Sequence, residues 1–389
     1  MSTATLDGTA RAPAAGPKAR PREEKEAHIF VASQWQLMWW RFRRHKLAMV
    51  SGVVIILIYM VALFAEFLAP YMPDAVDSRY LYAPPQSVHW FDNSDGRIRF
   101  APYVYGYTSV IDPKAGRRTF TIDTTQKIPL RLFARGEPYK LFGIIPTNIH
   151  LIGPVEEGQP MYLMGADRLG RDMLTRMIYG TRVSMSIGLV GVAVSLMLGI
   201  VLGGISGFYG GAVDNMIQRV IEFLRSIPTI PLWMGLAAAL PMNWPPLRIY
   251  FGITVILALI SWTGLARVVR GRFLAMREEE FVLAAELDGA SEMRIILRYM
   301  VPSFFSHIIA ATTLEIPAMI LAETSLSFLG LGLRPPVVSW GVLLKDAQSV
   351  RAVMTAPWQL WPAVAVIVSV LALNFLGDGL RDASDPYSR

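Results

Sequence analysis

Apolar residues gather along this chain in six long runs separated by polar connections. The first is LAMVSGVVIILIYMVALFAEFLAP over 47–70, and five more follow at about 184–208, 216–240, 250–269, 304–330 and 358–378. Each approaches the ~20 residues that cross a bilayer as a helix. The pattern therefore predicts an all-α membrane protein with six transmembrane helices and both termini on one side. Pro228 and Pro231 interrupt the third run and Pro317 the fifth. A bundle accommodates such breaks where neighbouring helices partner the freed carbonyls.

The polar stretches divide the rest. Residues 1–34 are rich in Ala, Pro, Lys, Arg and Glu without apolar period, and read as a disordered cytosolic tail. An N-terminal module over 35–71 joins an aromatic and basic collar, WQLMWWRFRRHK (35–46), to the first span. Such collars suit lipid headgroups, and Arg41, Arg43, Arg44 and Lys46 place the N-terminus in the cytosol. Residues 72–162 break the membrane pattern. Alternation in RIRFAPYVYGY (97–107), RRTFTID (117–123) and KIPLRLF (127–133) predicts short, half-buried strands, hence a β-rich extracytoplasmic insert between the first two spans. The remainder, 163–389, holds the other five spans.

Counted from a cytosolic N-terminus, the connection between the fourth and fifth spans faces the cytosol. It ends in REEEFVLAAELDGASEMRIILRYMVPS, residues 277–303. Phe281, Leu283, Ala284 and Leu287, then Met293, Ile296, Leu297 and Met300, recur at helical spacing and define one apolar face. Gly289 stops the first helix, Ser291 is placed to cap a second with Glu292 in its first turn, and Pro302 ends it. Such a surface element either docks a partner or lies on lipid headgroups.

Composition narrows the function. The chain has 389 residues, of which 53% are hydrophobic and 17% charged, against about 25% charged in soluble domains. It has no cysteine, so disulfides and thiolate metal sites are excluded. The net charge of +7 is spread over loops and tail without an aromatic and basic stacking pattern, which argues against nucleic acid. No G-x-x-x-x-G-K-[ST] loop exists to cradle a nucleotide phosphate, so this chain should not hydrolyse ATP. The five histidines are isolated, with neither H-E-x-x-H nor a G-x-S-x-G elbow. No catalytic residues, metal ligands or cofactor-binding residues are expected. A membrane enzyme would need such a constellation, whereas a ligand sensor using the insert would not need the 277–303 loop.

Charged groups inside spans are costly and often functional. Glu315 and Glu323 lie eight residues apart on the fifth span and share a face. They read either as a translocation path or as contacts to neighbouring helices, for instance to Arg219 or Arg225. Asp167, Arg168, Arg171, Asp172 and Arg176 are spaced for an ion-pair network at the outer mouth or for a solvated helix face. The aromatics Trp90, Phe91, Tyr103, Tyr105 and Tyr107 suit either sugar stacking or the insert's own core.

The spacing of Ala284-Ala285, Gly289 and Pro302 resembles the EAA loop of importer-type ABC transporter permeases. GADRLGRDMLTRMIYGTRVSMSIGL (165–189), GFYGGAVD (207–214), SFLGLGLRPPVVSWG (327–341) and NFLGDGLRDASDP (374–386) are similar to stretches of the dipeptide/oligopeptide/nickel branch. Leu283 stands where that motif has its first Glu, Tyr299 where it has Ile and Val301 where it has Leu. The resemblance implies the type I ABC importer permease fold and ATP-driven, binding-protein-dependent uptake without covalent chemistry. Peptides are the first cargo it implies and oligosaccharides the second. It further implies a second homologous permease subunit, two cytosolic ATPase subunits that carry ATP and Mg, an extracytoplasmic substrate-binding protein, and a lipid setting in the bacterial inner membrane. The ATPase-coupling residues it implies are Leu283, Ala284, Ala285, Glu286, Asp288, Gly289, Ala290, Ser291 and Pro302.

Overall fold

The computed structural model describes residues 34–93, 98–112, 117–156, 158–241 and 243–384. The tail expected over 1–34 lies outside them except for Gln34. A short helix α1 (Gln34–Phe42) leads into the first span, α2 (Lys46–Leu63), which His45 caps through Nδ1. Val50, Val53, Ile56, Leu57 and Met60 face outward from α2, as apolar side chains against lipid should. A single-turn helix, α3 (Ala65–Leu68), completes this module.

The insert is an antiparallel sheet in the order β1-β2-β3-β4, formed by His89–Asp92, Arg99–Asp112, Arg117–Leu141 and Ile145–Pro154. The two strands expected over 117–123 and 127–133 are one. The first half of β3 pairs with β2, from Asp112 opposite Arg117 to Tyr103 opposite Pro129. Its second half turns to β4, from Leu130 opposite Pro154 to Leu141 opposite Ile145. A register shift between Tyr105 and Gly106 takes up the polar TTQ segment (124–126) that separated the two predicted strands. Val104, Ile128, Leu130 and Met161 form one small core, and Tyr107 packs with Tyr80, Phe120 and Tyr162 in another. Trp90 and Phe91 instead stay exposed against Phe100. The sheet is fastened to the first span where the His150 ring meets Ala69 O at 2.6 Å and Glu137 O at 3.0 Å.

The helical body is built around α4 (Met173–Tyr209), whose 37 residues extend about 55 Å at 1.5 Å each. It begins well before the predicted run at 184, because Asp172 caps it by accepting from Thr175 N. Alongside runs α7 (Pro246–Met276). The two backbones touch at glycines: a Cβ on Gly203 would lie 2.5 Å from Ala266 O, and one on Gly207 2.7 Å from Arg270 O. Small residues allow this approach, and in lipid such packing holds helices together. Helix α11 (Phe305–Phe328) returns antiparallel and buries Met319, Ala322 and Leu326 against Ile187, Ile253 and Leu257. After a short helix α13 (Val350–Thr355), the last helix, α14 (Trp361–Ser384), packs on α2 and α11, with Gly379 against Ala48 and Gly377 against Leu314.

The expected third span differs. Residues 216–240 fall in two helices, α5 (Gly211–Ser226) and α6 (Thr229–Ala238), bent by 88° at Ile227–Pro228. A residue before proline is driven out of the helical region, and Ile227 is extended (φ −89°, ψ 132°). Helix α5 also carries Asp214, Gln218, Arg219, Glu222 and Arg225, which suit a surface better than a bilayer interior. Among the described residues, five helices are long and apolar enough to cross a membrane, and the bent pair is the only candidate for a sixth crossing.

Candidate functional site

The 277–303 stretch lies at the end of the body away from the sheet. Helix α4 starts beside the sheet and ends at Tyr209, whose hydroxyl donates to Glu292. Helix α8 (Glu280–Leu287) is followed by α9 (Glu292–Ile295), a π-turn over Ile296–Met300 and one turn, α10 (Val301–Ser303). Gly289 sits at φ +74°. Ala290 N donates to Ala285 O and Gly289 N to Glu286 O, the paired bonds of a left-handed helix stop. Ser291 takes the N-cap position of α9 but its side chain makes no capping bond.

The two faces of this element have opposite fates. Val282, Ala285, Ile295, Ile296 and Met300 are buried with Phe273, Phe304 and Ile308. Phe281, Leu283, Leu287, Met293 and Leu297 are exposed, Leu287 to 89%. Ala284, Glu286, Asp288, Gly289, Ser291 and Pro302 lie on the exposed side and Ala290 at the margin. Of the small residues expected at a docking surface, Ala285 therefore faces inward. It lets α8 sit close to the core while Leu283 and Leu287 face out.

Behind this element, Asp214 on α5 accepts two bonds of 2.5 Å from Arg270 on α7 and one of 2.5 Å from Ser206 on α4. The clamp ties the ends of three helices together. Sequence reasoning quoted Asp214 within GFYGGAVD but did not find its partner, which stands 56 positions later in an otherwise ordinary basic segment.

The carboxylates on α11 diverge. Glu323 is fully buried, 0% exposed. Its Oε1 accepts from Ser327 Oγ at 2.8 Å and Ser339 Oγ at 2.7 Å, and its Oε2 from Ser184 Oγ at 3.4 Å. Each serine in turn accepts a backbone N–H, from Leu333, Val342 and Trp340 respectively. Glu323 is thus the centre of a satisfied polar knot joining α4, α11 and α12 (Trp340–Asp346). Glu315 is half-buried and its Oε2 has no hydrogen-bond partner among the described residues. Of the two arginines expected near it, Arg219 pairs with Glu222 at 3.0 Å, while Arg225 stands on the same side of Gly264 as Glu315 without an ion pair to it among the described residues.

At the sheet end, Asp167 is buried between Arg171 (2.7 Å) and Arg176 (2.5 Å), and both arginines also approach Asp346 of α12. The ion-pair network expected over 165–177 is therefore present, buried rather than on a solvated helix face. Asp172 takes no part in it. Burial first, and the Asp167 charge less strongly, push the Asp172 carboxyl up to about 7 against the opposing hydrogen bonds of Thr175.

Residues 199–389 match the family described as binding-protein-dependent transport system inner membrane component, and residues 33–85 match the N-terminal TM domain of oligopeptide transport permease C. The oligopeptide transport system permease protein OppC of Haemophilus influenzae is 38% identical over 243 residues, which are 62% of this chain and 75% of that protein. This chain belongs to that permease family. The dipeptide transport system permease protein DppC of Bacillus subtilis is 37% identical over 58% of this chain and 68% of its own length. The OppC protein of B. subtilis aligns at 28% identity over 92% of this chain and 91% of its own. The permease is a membrane-embedded transport component. Its family-matched segment, 199–389, contains the 277–303 element, the Asp214–Arg270 clamp, Glu315, and Glu323 with Ser327 and Ser339; Ser184 of the knot precedes it.

Proposed function

We propose that this permease is one of two homologous membrane subunits of an ATP-driven, binding-protein-dependent importer of peptides, with the six-span type I architecture. The observation that carries the reading is the uncovered apolar face of α8 and α9, held rigidly from behind by its buried face. A chain without a phosphate loop needs an external source of work, and this face is where a cytosolic ATPase pair, carrying ATP and Mg, would press. Leu283, Ala284, Glu286, Asp288, Gly289, Ala290, Ser291 and Pro302 are the docking residues of this reading, with Ala285 supporting them from within. The basic collar supports a cytosolic location for both termini and for this element, in a bacterial inner membrane. The bent α5–α6 pair then counts as one crossing, and the 72–162 insert stands outside, near the path of the substrate-binding protein. Residues 35–71 form the N-terminal module and 163–389 the permease core.

Peptide as cargo rests on the names of the relatives. The experiment that tests it is uptake into proteoliposomes holding this chain, its permease partner, ATPases and binding protein. ATP-dependent accumulation of labelled di- to pentapeptides is expected. Accumulation of oligosaccharide in place of peptide would replace the cargo, and a chain that purifies without any ATPase would replace the class with an enzyme or sensor. Glu315 is the proposed pathway group, since it is half-buried and its Oε2 has no hydrogen-bond partner among the described residues, whereas the serine shell of Glu323 supports a scaffold role. Glu315→Gln is expected to lower the uptake rate several-fold with assembly intact. Unchanged uptake would remove it from the path.

A further inference from the structure

Between the outer ends of the first span and α4, beneath the sheet, lies a cavity of about 170 Å³ bordered by Tyr71, Asp77, Arg79, Gln159, Tyr162 and Asp172. Its hydrogen-bonding groups are unevenly used. Its donors point elsewhere: Arg79 Nε and Nη2 hold the two oxygens of Asp77 at 3.0 and 2.8 Å, Tyr71 OH donates to Gln159 O, and Tyr162 OH donates to Gly170 O, these last two at 3.3 Å. Two acceptors remain. Asp172 is only 4% exposed; its Oδ2 accepts from Thr175 N at 2.7 Å, while its Oδ1 is buried without a hydrogen-bond partner among the described residues. Gln159 Oε1 is likewise buried without a partner among those residues. The Gln159 amide cannot flip to cure this, because its Nε2 donates to Glu156 Oε2 at 2.6 Å.

A buried carboxylate oxygen without a donor is costly, and a positive donor is what relieves it. No neighbouring arginine supplies one, since Arg79 is turned to Asp77, and Arg171 and Arg176 are held by Asp167 and Asp346. Among the described residues no cluster of three or more carboxylates or imidazoles could hold a metal ion. An ammonium group directs several N–H donors at separate acceptors, and the volume admits only a few heavy atoms behind it. We propose that this cavity is a binding site for a small primary ammonium group, held between Asp172 Oδ1 and Gln159 Oε1. A free amine and the ethanolamine headgroup of a lipid present the same chemistry here, at the end of a membrane span. The site does not depend on which cargo the permease carries.

The test uses the full chain in phosphatidylcholine nanodiscs, in amine-free buffer at constant ionic strength, and reads the thermal midpoint against added methylammonium. A saturable rise is expected, because a ligand that binds only the folded state stabilises it. Tetramethylammonium, of equal charge but without N–H, should give none. Asp172→Asn keeps an N-capping oxygen for Thr175 N and should abolish the response. Gln159→Leu leaves the cap untouched and should weaken apparent affinity about tenfold. The response should also fade as pH falls below about 7 and Asp172 takes up a proton. The other charged or titratable groups near it are Asp77, Arg79, Tyr71, Tyr80, Tyr107, Tyr162, Asp167 and the paired Arg171 and Arg176. If phosphatidylethanolamine in the disc removes the methylammonium response by occupying the site first, the headgroup is the source; if the response persists, a soluble amine is. An equal response to tetramethylammonium, no response at all, or a response unchanged in both variants would overturn the proposal.

Discussion

At the scale of single residues, Gly289 and Glu323 carry separable duties. At φ +74° a β-carbon is strained by about 1–2 kcal/mol, and Gly289 has nothing within 4 Å of where that carbon would stand. Gly289→Ala should therefore cost the fold only about that strain, with the chain still inserted. Gly289→Asp adds bulk and charge in open space, so any larger effect must come from something docked there. We expect the Asp variant to insert normally but to lose substrate-stimulated ATP hydrolysis in the assembled transporter. Normal stimulation would show that the turn is only a turn. Glu323 is the opposite case. Replacing it by Leu strands three serine hydroxyls in a dry interior, at about 1–3 kcal/mol for each group left unsatisfied, so Glu323→Leu should lower the thermal midpoint markedly. Glu323→Gln keeps acceptor and shape and should lower it much less. Equal stability of the two variants would mean the knot contributes nothing.

At the scale of elements, most of what was legible in the sequence was periodicity and most of what was missed was partnership. The runs at 47–70, 250–269, 304–330 and 358–378 became α2, α7, α11 and α14 because an apolar run long enough to span leaves the backbone few alternatives. The alternating stretches of the insert became strands for the same kind of reason. The run at 216–240 misled because average hydrophobicity conceals order: its charges fall in the first half, and Ile227–Pro228 can then turn the chain. Strand β4 escaped notice because its pattern of exposure does not alternate cleanly. In the 277–303 loop the single apolar face expected from spacing divides in two: Phe281, Leu283, Leu287, Met293 and Leu297 face out, whereas Ile296 and Met300 join Val282 and Ala285 on the face that anchors the element. No periodicity reveals that Asp172 stands apart from the arginines around it. Its consequence is measurable. An ordinary Asp titrates near 3.9, and the folded carboxyl is raised to about 7. Between those values the folded state binds more protons than the unfolded one, so this group's contribution to stability falls as pH rises from about 4 to about 7. Asp172→Asn should remove that part of the slope. An unchanged pH profile of the thermal midpoint would show that Asp172 is ionised throughout.

For the whole molecule, the decisive feature is that its ends are unlike. Helix α4 runs from the sheet, where Asp172 caps it, to Tyr209 beside Glu292, and its glycine contacts lock it to α7 along the way. A push on α8 therefore meets a packed face, through Val282, Ala285 and Phe273, that leads directly into α7 and α11. Movement at that end must be carried by whole helices, because packed interiors transmit strain rather than absorb it. This gives the outward face of α8 a role that mutation can isolate. Leu283→Glu and Leu287→Glu change side chains that the isolated chain leaves exposed, so each should shift its stability by no more than about 0.5 kcal/mol. Burying either new carboxylate beneath a docked ATPase would be costly, and co-purification of the ATPase with the double variant should fall at least tenfold. Val282→Glu is the reciprocal control, since it places the charge in the packed interior and should destabilise the chain itself. Retention of the ATPase by the Leu283→Glu, Leu287→Glu double variant, with the Val282→Glu chain destabilised as expected, would move the docking surface elsewhere on the molecule.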